Sequence, residues 1–285
     1  MMLIVGLLVV FGSVLGGYLP HGSIEVLMQP LEVLIIGGAA FGGFLIANPM
    51  PVVQGVAKSM GKLFKGEPYK KSSYVELLLL LYTLFRLMKQ KGALAIEAHI
   101  EAPHDSDIFK LYPGVEHNHH ALDFLCDYLR LLTIGVQDPH LLESLMDEDI
   151  KSHHHELATI ASSVTTMADG LPAFGIVAAV LGVIVTMGSI TEPPEVLGHH
   201  IGAALVGTFL GILLAYGVVG PVGAFLTKYA DAETKFLECI KAGLIAHVQG
   251  SAPIVSIEFS RKVLDSRVRP SFGELQTAVE SAPKA

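Results

Sequence analysis

The sequence predicts an all-α, polytopic membrane protein with four transmembrane helices and a helical cytoplasmic domain. Three observations carry this. Only 16% of the 285 residues are charged while 51% are hydrophobic, against about a quarter charged in an ordinary soluble domain. The charges are segregated: all 19 Lys and Arg fall between Lys58 and Lys151 or between Lys228 and Lys284. Four stretches, 1–18, 33–50, 171–190 and 201–226, carry no charge at all, and each has roughly the 20 apolar residues that a helix needs to cross a bilayer.

With their flanks, these stretches divide the chain into transmembrane helix 1 (1–20), transmembrane helix 2 (30–50), a cytoplasmic helical domain (51–168), transmembrane helix 3 (169–190), transmembrane helix 4 (200–228) and a cytoplasmic C-terminal tail (229–285). The connectors 21–30 and 191–200 contain no Lys or Arg. Basic residues concentrate on the cytoplasmic side, so the connectors face outward, and the middle segment, the tail and both termini face the cytoplasm. The first span lacks a basic leader and a small-residue cleavage site, which favours a retained helix over a signal peptide. Cys126 and Cys239 fall in the cytoplasmic blocks and are expected as free thiols. A net charge of -8 argues against nucleic acid as a partner.

Within 51–168, Ser72 and Ser73 are placed to cap a helix through YVELLLLLYTLFRLMKQKG. Its apolar run is broken by Glu76 and Arg86, which suits a buried helix of a soluble domain better than a span. Gly92 is the expected stop, after a last turn made basic by Lys89 and Lys91. ALAIEAHIE reads as a short second helix, and HHALDFLCDYLRLLTIG as an amphipathic one. The stretch from His140 to Asp169 reads as a long helix leading into the third span.

No catalytic constellation is visible. EHNHH and HHHE invite a metal reading, but consecutive helical residues point about 100° apart and cannot aim three imidazoles at one ion. Surface histidines are the better reading, and no cofactor is implied. Small residues are the stronger signal. Ala203, Gly207, Gly211 and Ala215 recur every four residues in the fourth span, Gly38 and Gly42 do so in the second, and Gly175 and Gly182 belong to a comparable patch in the third. In lipid, small faces let helices approach closely, so these faces are expected to pack within the subunit and to offer a surface against which another helix slides. No ionisable residue lies in the middle of a span. A chain that handles ions would therefore need a carboxylate from a partner. Pro221 interrupts the fourth span and leaves the carbonyl of Gly217 without its helical donor. Pro172, with Asp169 as N-cap, is expected in a helical first turn.

LPAFGIVAAVLGV, VGTFLGILLAYG, the following Pro221, RPSFGELQ, LDFLCDYLRLL, LMDEDI and the opening GLLVVFGSVLGGYL resemble the MotA family of flagellar motor stator subunits, within the wider MotA/TolQ/ExbB proton channel group. The resemblance runs from about residue 3 to residue 280. It implies a pentamer around two copies of MotB, whose single span brings an ion-binding aspartate and whose outer domain binds peptidoglycan. It implies a role in flagellar rotation and chemotactic motility, not enzymatic activity. It also implies that Pro172 and Pro221 couple ion flow to rotation, and that Glu97 meets the rotor protein FliG. Lys89 stands where the family usually has arginine, with Arg86 as a neighbour. Lysine keeps the charge but not the bidentate fork. Ala179 stands where the sodium-driven branch has threonine, whereas Thr208 fits both branches; the missing oxygen favours H+ as the translocated ion. The alternative is an ExbB- or TolQ-like energiser of a TonB- or TolA-type partner. Those relatives usually have three spans, and the pair formed by the first two spans here argues against it.

Overall fold

A computed structural model describes residues 2–282; Met1 at the head of the first predicted span and residues 283–285 of the tail lie outside the described residues. In chain order the α-helices are α1 (Met2–Tyr18), α2 (Ile24–Leu27), α3 (Pro30–Ala47), α4 (Met50–Lys65), α5 (Lys71–Lys91), α6 (Glu97–Glu101), α7 (Pro113–Glu116), α8 (His119–Thr133), α9 (Pro139–Gly188), α10 (Pro194–Leu214), α11 (Gly220–Val248), α12 (Pro253–Val263) and α13 (Phe272–Ser281). A π-helical turn, Ala215–Val219, joins α10 to α11. No strand occurs among the described residues, in keeping with the all-α prediction.

Among the described residues three helical stretches, Ile24–Ala47, Pro139–Gly188 and Pro194–Val248, are long and apolar enough to cross a membrane. The apolar α1, at 17 residues, reaches about 26 Å at 1.5 Å per residue, just under the ~30 Å hydrocarbon core. One expectation is corrected. Asp169 caps nothing and Pro172 occupies no first turn, because α9 runs unbroken for 50 residues with Pro172 inside it. Proline removes one backbone donor, and burial of Ala168 and Leu171 (2% and 4% exposed) holds the helix together across that gap.

The chain forms two compact units, to both of which α9 and α11 contribute residues. The first comprises Met1–Gly66 and Glu156–Tyr229. Its apolar centre is Ile36 and Ala40 of α3, Leu171 and Ala178 of α9, and Ala215. A second cluster packs Val56 and Met60 of α4 against Ala161, Val164 and Leu226. Lys62 lies 4.3 Å from the centre of the Tyr229 ring, an arrangement that favours a cation over an aromatic face.

The second unit comprises Glu67–His155 and Ala230–Ala285. Helix α5 is its axis: Leu77, Leu78, Leu80, Leu81, Leu84 and Phe85 are wholly buried, the mark of a helix enclosed on all sides. Its start differs slightly from the capping read in the sequence. Lys70 is the N-cap, and the Ser73 hydroxyl accepts from the Lys70 N–H. Gly92 ends the helix with φ +86°, its N–H donating to the Met88 carbonyl. Glu76, which interrupts the apolar run, accepts from the Gly114 N–H at 2.6 Å and so anchors α7. Arg261, only 6% exposed, is satisfied by Glu258 and the carbonyl of Pro270, as a buried guanidinium requires.

Candidate functional site

The small residues of spans three and four meet one another inside the first unit. A Cβ on Gly211 would lie 2.7 Å from the Leu171 carbonyl oxygen and 2.9 Å from the Gly175 Cα. One on Gly175 would lie 2.9 Å from the Gly207 carbonyl oxygen, and one on Gly182 would lie 2.7 Å from the Ala204 Cβ. Backbone therefore touches backbone along the crossing of α9 and α10, and only glycine and alanine allow this approach. Ala215 is wholly buried and Ala203 half-buried, whereas Gly38 is exposed and nothing lies within 4 Å of a Cβ at Gly38 or Gly42. The stripe on span four is thus an internal seam rather than a sliding face, and the open small surface belongs to α3.

Thr208 and Ala179 both sit at this crossing and are half-buried. A Cβ on Gly175 would lie 3.3 Å from the Thr208 Cα, and one on Gly207 would lie 3.3 Å from the Ala179 backbone nitrogen. Beside Pro172, the carbonyl of Leu171 faces Gly211. Pro221 is exposed in the first turn of α11, just beyond the π-helical turn. There the Gly220 N–H donates to the Ala215 carbonyl five residues back, so the helix is widened in the turn just before the proline. Such π turns recur where a helix is put to functional use.

Glu32 is the group that the span reading overlooks. It lies in the first turn of α3, where an acid ordinarily signals only a helix start. Yet it shares a face with the buried Ile36, Ala40 and Phe44, is 9% exposed, and holds Oε2 where a Cβ on Gly207 would come within 2.9 Å. The four-residue spacing 32, 36, 40, 44 was the available signal.

In the second unit Glu97 opens α6 and Lys89 lies in the last turn of α5; both are exposed, and neither forms an ion pair among the described residues. The Arg86 guanidinium lies 5.8 Å from the centre of the Tyr82 ring. His247 stacks on Phe85 with ring centres 4.5 Å apart at 7°. Burial, and then the charge of Lys89, push the His247 imidazole below its ordinary 6.5. The neutral form is the one the fold accepts, so this stabilisation is complete above 6.5 and is lost progressively as pH falls below it. Urea titrations of the purified protein are expected to show stability declining on the acid side of 6.5, with a flatter pH dependence in His247→Gln.

His117, His119 and His120 of the first histidine cluster are exposed, as expected, whereas the second cluster is not simply solvated. His153 Nε2 lies 3.1 Å from Glu233 Oε2, with side chains 14% and 11% exposed, and His154 Nδ1 lies 2.9 Å from Thr234 Oγ1. They fasten α9 to α11 within the second unit. No group of three potential ligands that could hold a metal occurs among the described residues.

Residues 4–92 match the family described as Motility protein A N-terminal, and residues 116–238 match the MotA/TolQ/ExbB proton channel family. Motility protein A of Escherichia coli (strain K12) is 43% identical over 282 residues, covering 99% of this chain and 96% of that one. The chain belongs to the MotA family. As a MotA family member it is a motility protein rather than an enzyme. The solved flagellar MotAB stator complex from Bacillus subtilis is similar at TM-score 0.73 and 26% identity, covering 90% of this chain and 92% of that one. The C. jejuni MotAB structure has the same fold at TM-score 0.77 and 18% identity, covering 93% and 96%.

Proposed function

We propose that the chain is the membrane stator subunit of a flagellar motor, that with MotB it forms a proton channel, and that it converts proton flow into torque on FliG. The observation that carries this reading is the near-full-length kinship to motility protein A. It is joined by a seam of glycines that locks spans three and four together while Ile176, Val180 and Ile184 remain exposed on α9 (57%, 52% and 61%). An apolar face of that size suits lipid or a partner helix. Five subunits around two MotB spans, with both termini in the cytoplasm, is the assembly proposed.

In this scheme the MotB aspartate takes a proton from outside, becomes neutral and leaves its position in the ring. One elementary charge falling through 100 mV supplies ~2.3 kcal/mol, so each step must be small and its barrier low. The Ala179 side chain offers no oxygen to a hard cation, which supports the proton over sodium. Pro172 and Pro221 couple the step to movement of the cytoplasmic helices. Lys89, Glu97 and Arg86 then transmit force to FliG by charge, and the exposure of Lys89 and Glu97 without ion-pair partners suits them to that role.

The family match over 4–92, described as motility protein A N-terminal, weighs against the ExbB- or TolQ-like energiser. Charge reversal tests the rotor contact. Lys89→Glu and Glu97→Lys are each expected to slow swimming while leaving membrane levels and MotB co-purification unchanged, and opposite reversals in FliG are expected to restore it. Wild-type swimming in both single variants would remove these residues from the rotor contact.

A further inference from the structure

Helix α4 begins two residues after the apolar α3 ends. The Asn48 side chain donates to the Phe44 carbonyl at 2.8 Å and closes α3, and Pro49, with ψ 154°, turns the chain into α4. The 16 residues of α4 divide lengthwise into three faces. Val52, Val56, Ser59 and Leu63 form the packed face, with Ser59 and Leu63 buried. Gly55 lets this side come close to α9, since a Cβ there would lie 2.6 Å from the Ile160 Cδ1.

The other two faces lie side by side along the helix. Met50, Ala57 and Phe64 recur every seven residues and are all exposed, Met50 by 63% and Phe64 by 65%. Gln54, Lys58 and Lys62 recur every four, a spacing that keeps them on one side. Lys58 is exposed and forms no ion pair among the described residues, while Lys62 lies over the Tyr229 ring. The helix holds three lysines, Lys58, Lys62 and Lys65, and residues 33–66 contain no acid. A helix with an exposed apolar stripe beside a basic one lies in the plane of the membrane interface. Lysines at the inner end of a span draw anionic headgroups.

The level of α4 agrees with that chemistry. It packs near Leu226 and reaches Tyr229, on either side of the exposed Lys228, which is the first basic residue after the fourth predicted span. Both neighbours therefore put α4 where apolar helix ends and positive charge begins.

We infer that α4 is a binding site for anionic phospholipid. Met50, Ala57 and Phe64 enter the acyl boundary of the cytoplasmic leaflet, and Lys58 and Lys62 attract the lipid phosphate. The apolar face adjoining the lysines selects a lipid over free phosphate. The inference rests on the membrane placement of the chain and not on the torque reading.

The chain contains no tryptophan, so Phe64→Trp gives a single fluorescent reporter at an exposed aromatic position. The full chain is reconstituted in liposomes of equimolar phosphatidylcholine and phosphatidylglycerol, with bromine on the acyl chains of one lipid or the other. Both brominated lipids are expected to quench the tryptophan, the phosphatidylglycerol about twofold more strongly. Adding Lys58→Gln and Lys62→Gln to the same chain is expected to equalise the two. No quenching by either lipid would overturn the site and leave this face to a protein neighbour. Equal quenching before the lysines are changed, or a preference that survives their loss, would overturn recognition of the anionic headgroup by these residues. A second measurement needs no tryptophan. Native mass spectra of the unaltered chain released from the same lipids are expected to retain phosphatidylglycerol over phosphatidylcholine, with excess sodium phosphate changing nothing. Displacement of the retained lipid by inorganic phosphate, or equal retention of both lipids, would contradict the assignment.

Discussion

Valine at position 211 is expected to abolish the assembled protein. The new side chain would meet the Leu171 carbonyl at 2.7 Å and the Gly175 Cα at 2.9 Å, and neither is the end of a flexible side chain that can turn aside. Overpacking of a tight core costs about 1–3 kcal/mol; with backbone on both sides, relief requires α9 and α10 to separate, so the cost lies at or above the top of that range. Membrane levels of the chain and the melting temperature of the detergent-purified complex should both collapse. Gly38→Val is the control. Nothing lies within 4 Å of its Cβ, and the subunit should accumulate normally. Equal levels of the two variants would contradict the internal seam.

Pro221→Ala is expected to leave assembly intact and cut swimming speed severalfold. Proline denies the Gly217 carbonyl its donor, next to the π turn closed by Gly220 and Ala215. Alanine restores the N–H and removes the ring that holds the widened turn open. The junction between α10 and α11 would then lose its fixed geometry, while the buried Leu226 and Phe236 of α11 hold that helix in its cores. Immunoblots of the membrane fraction and torque on tethered cells separate the two effects. Wild-type torque would sink the coupling role of this proline.

The long apolar helices, the enclosed helix α5 and the stop at Gly92 were legible because each rests on a local property: unbroken apolarity, two interrupting charges, a residue free to adopt positive φ. The faces were less legible. The spacing of Ala203, Gly207, Gly211 and Ala215 announces close approach but not the identity of the neighbour, which is set by tertiary pairing with Gly175 and Gly182. Glu32 was hidden because its burial comes from α9 and α10, far away in sequence. His153 and His154 were read as solvated because Glu233 and Thr234 lie about 80 residues on. Pro172 was misplaced because the break it announces locally is outvoted by packing on either side.

The central claim, that this chain powers a flagellar motor, is tested most directly by a clean deletion in the native host, scoring filaments and swimming separately. The expected result is cells that carry normal filaments but do not swim, rescued by the intact gene, with the rescued motility abolished by a proton uncoupler and indifferent to sodium. Deletion cells that swim normally, or that lose nutrient uptake or envelope integrity instead, would contradict it.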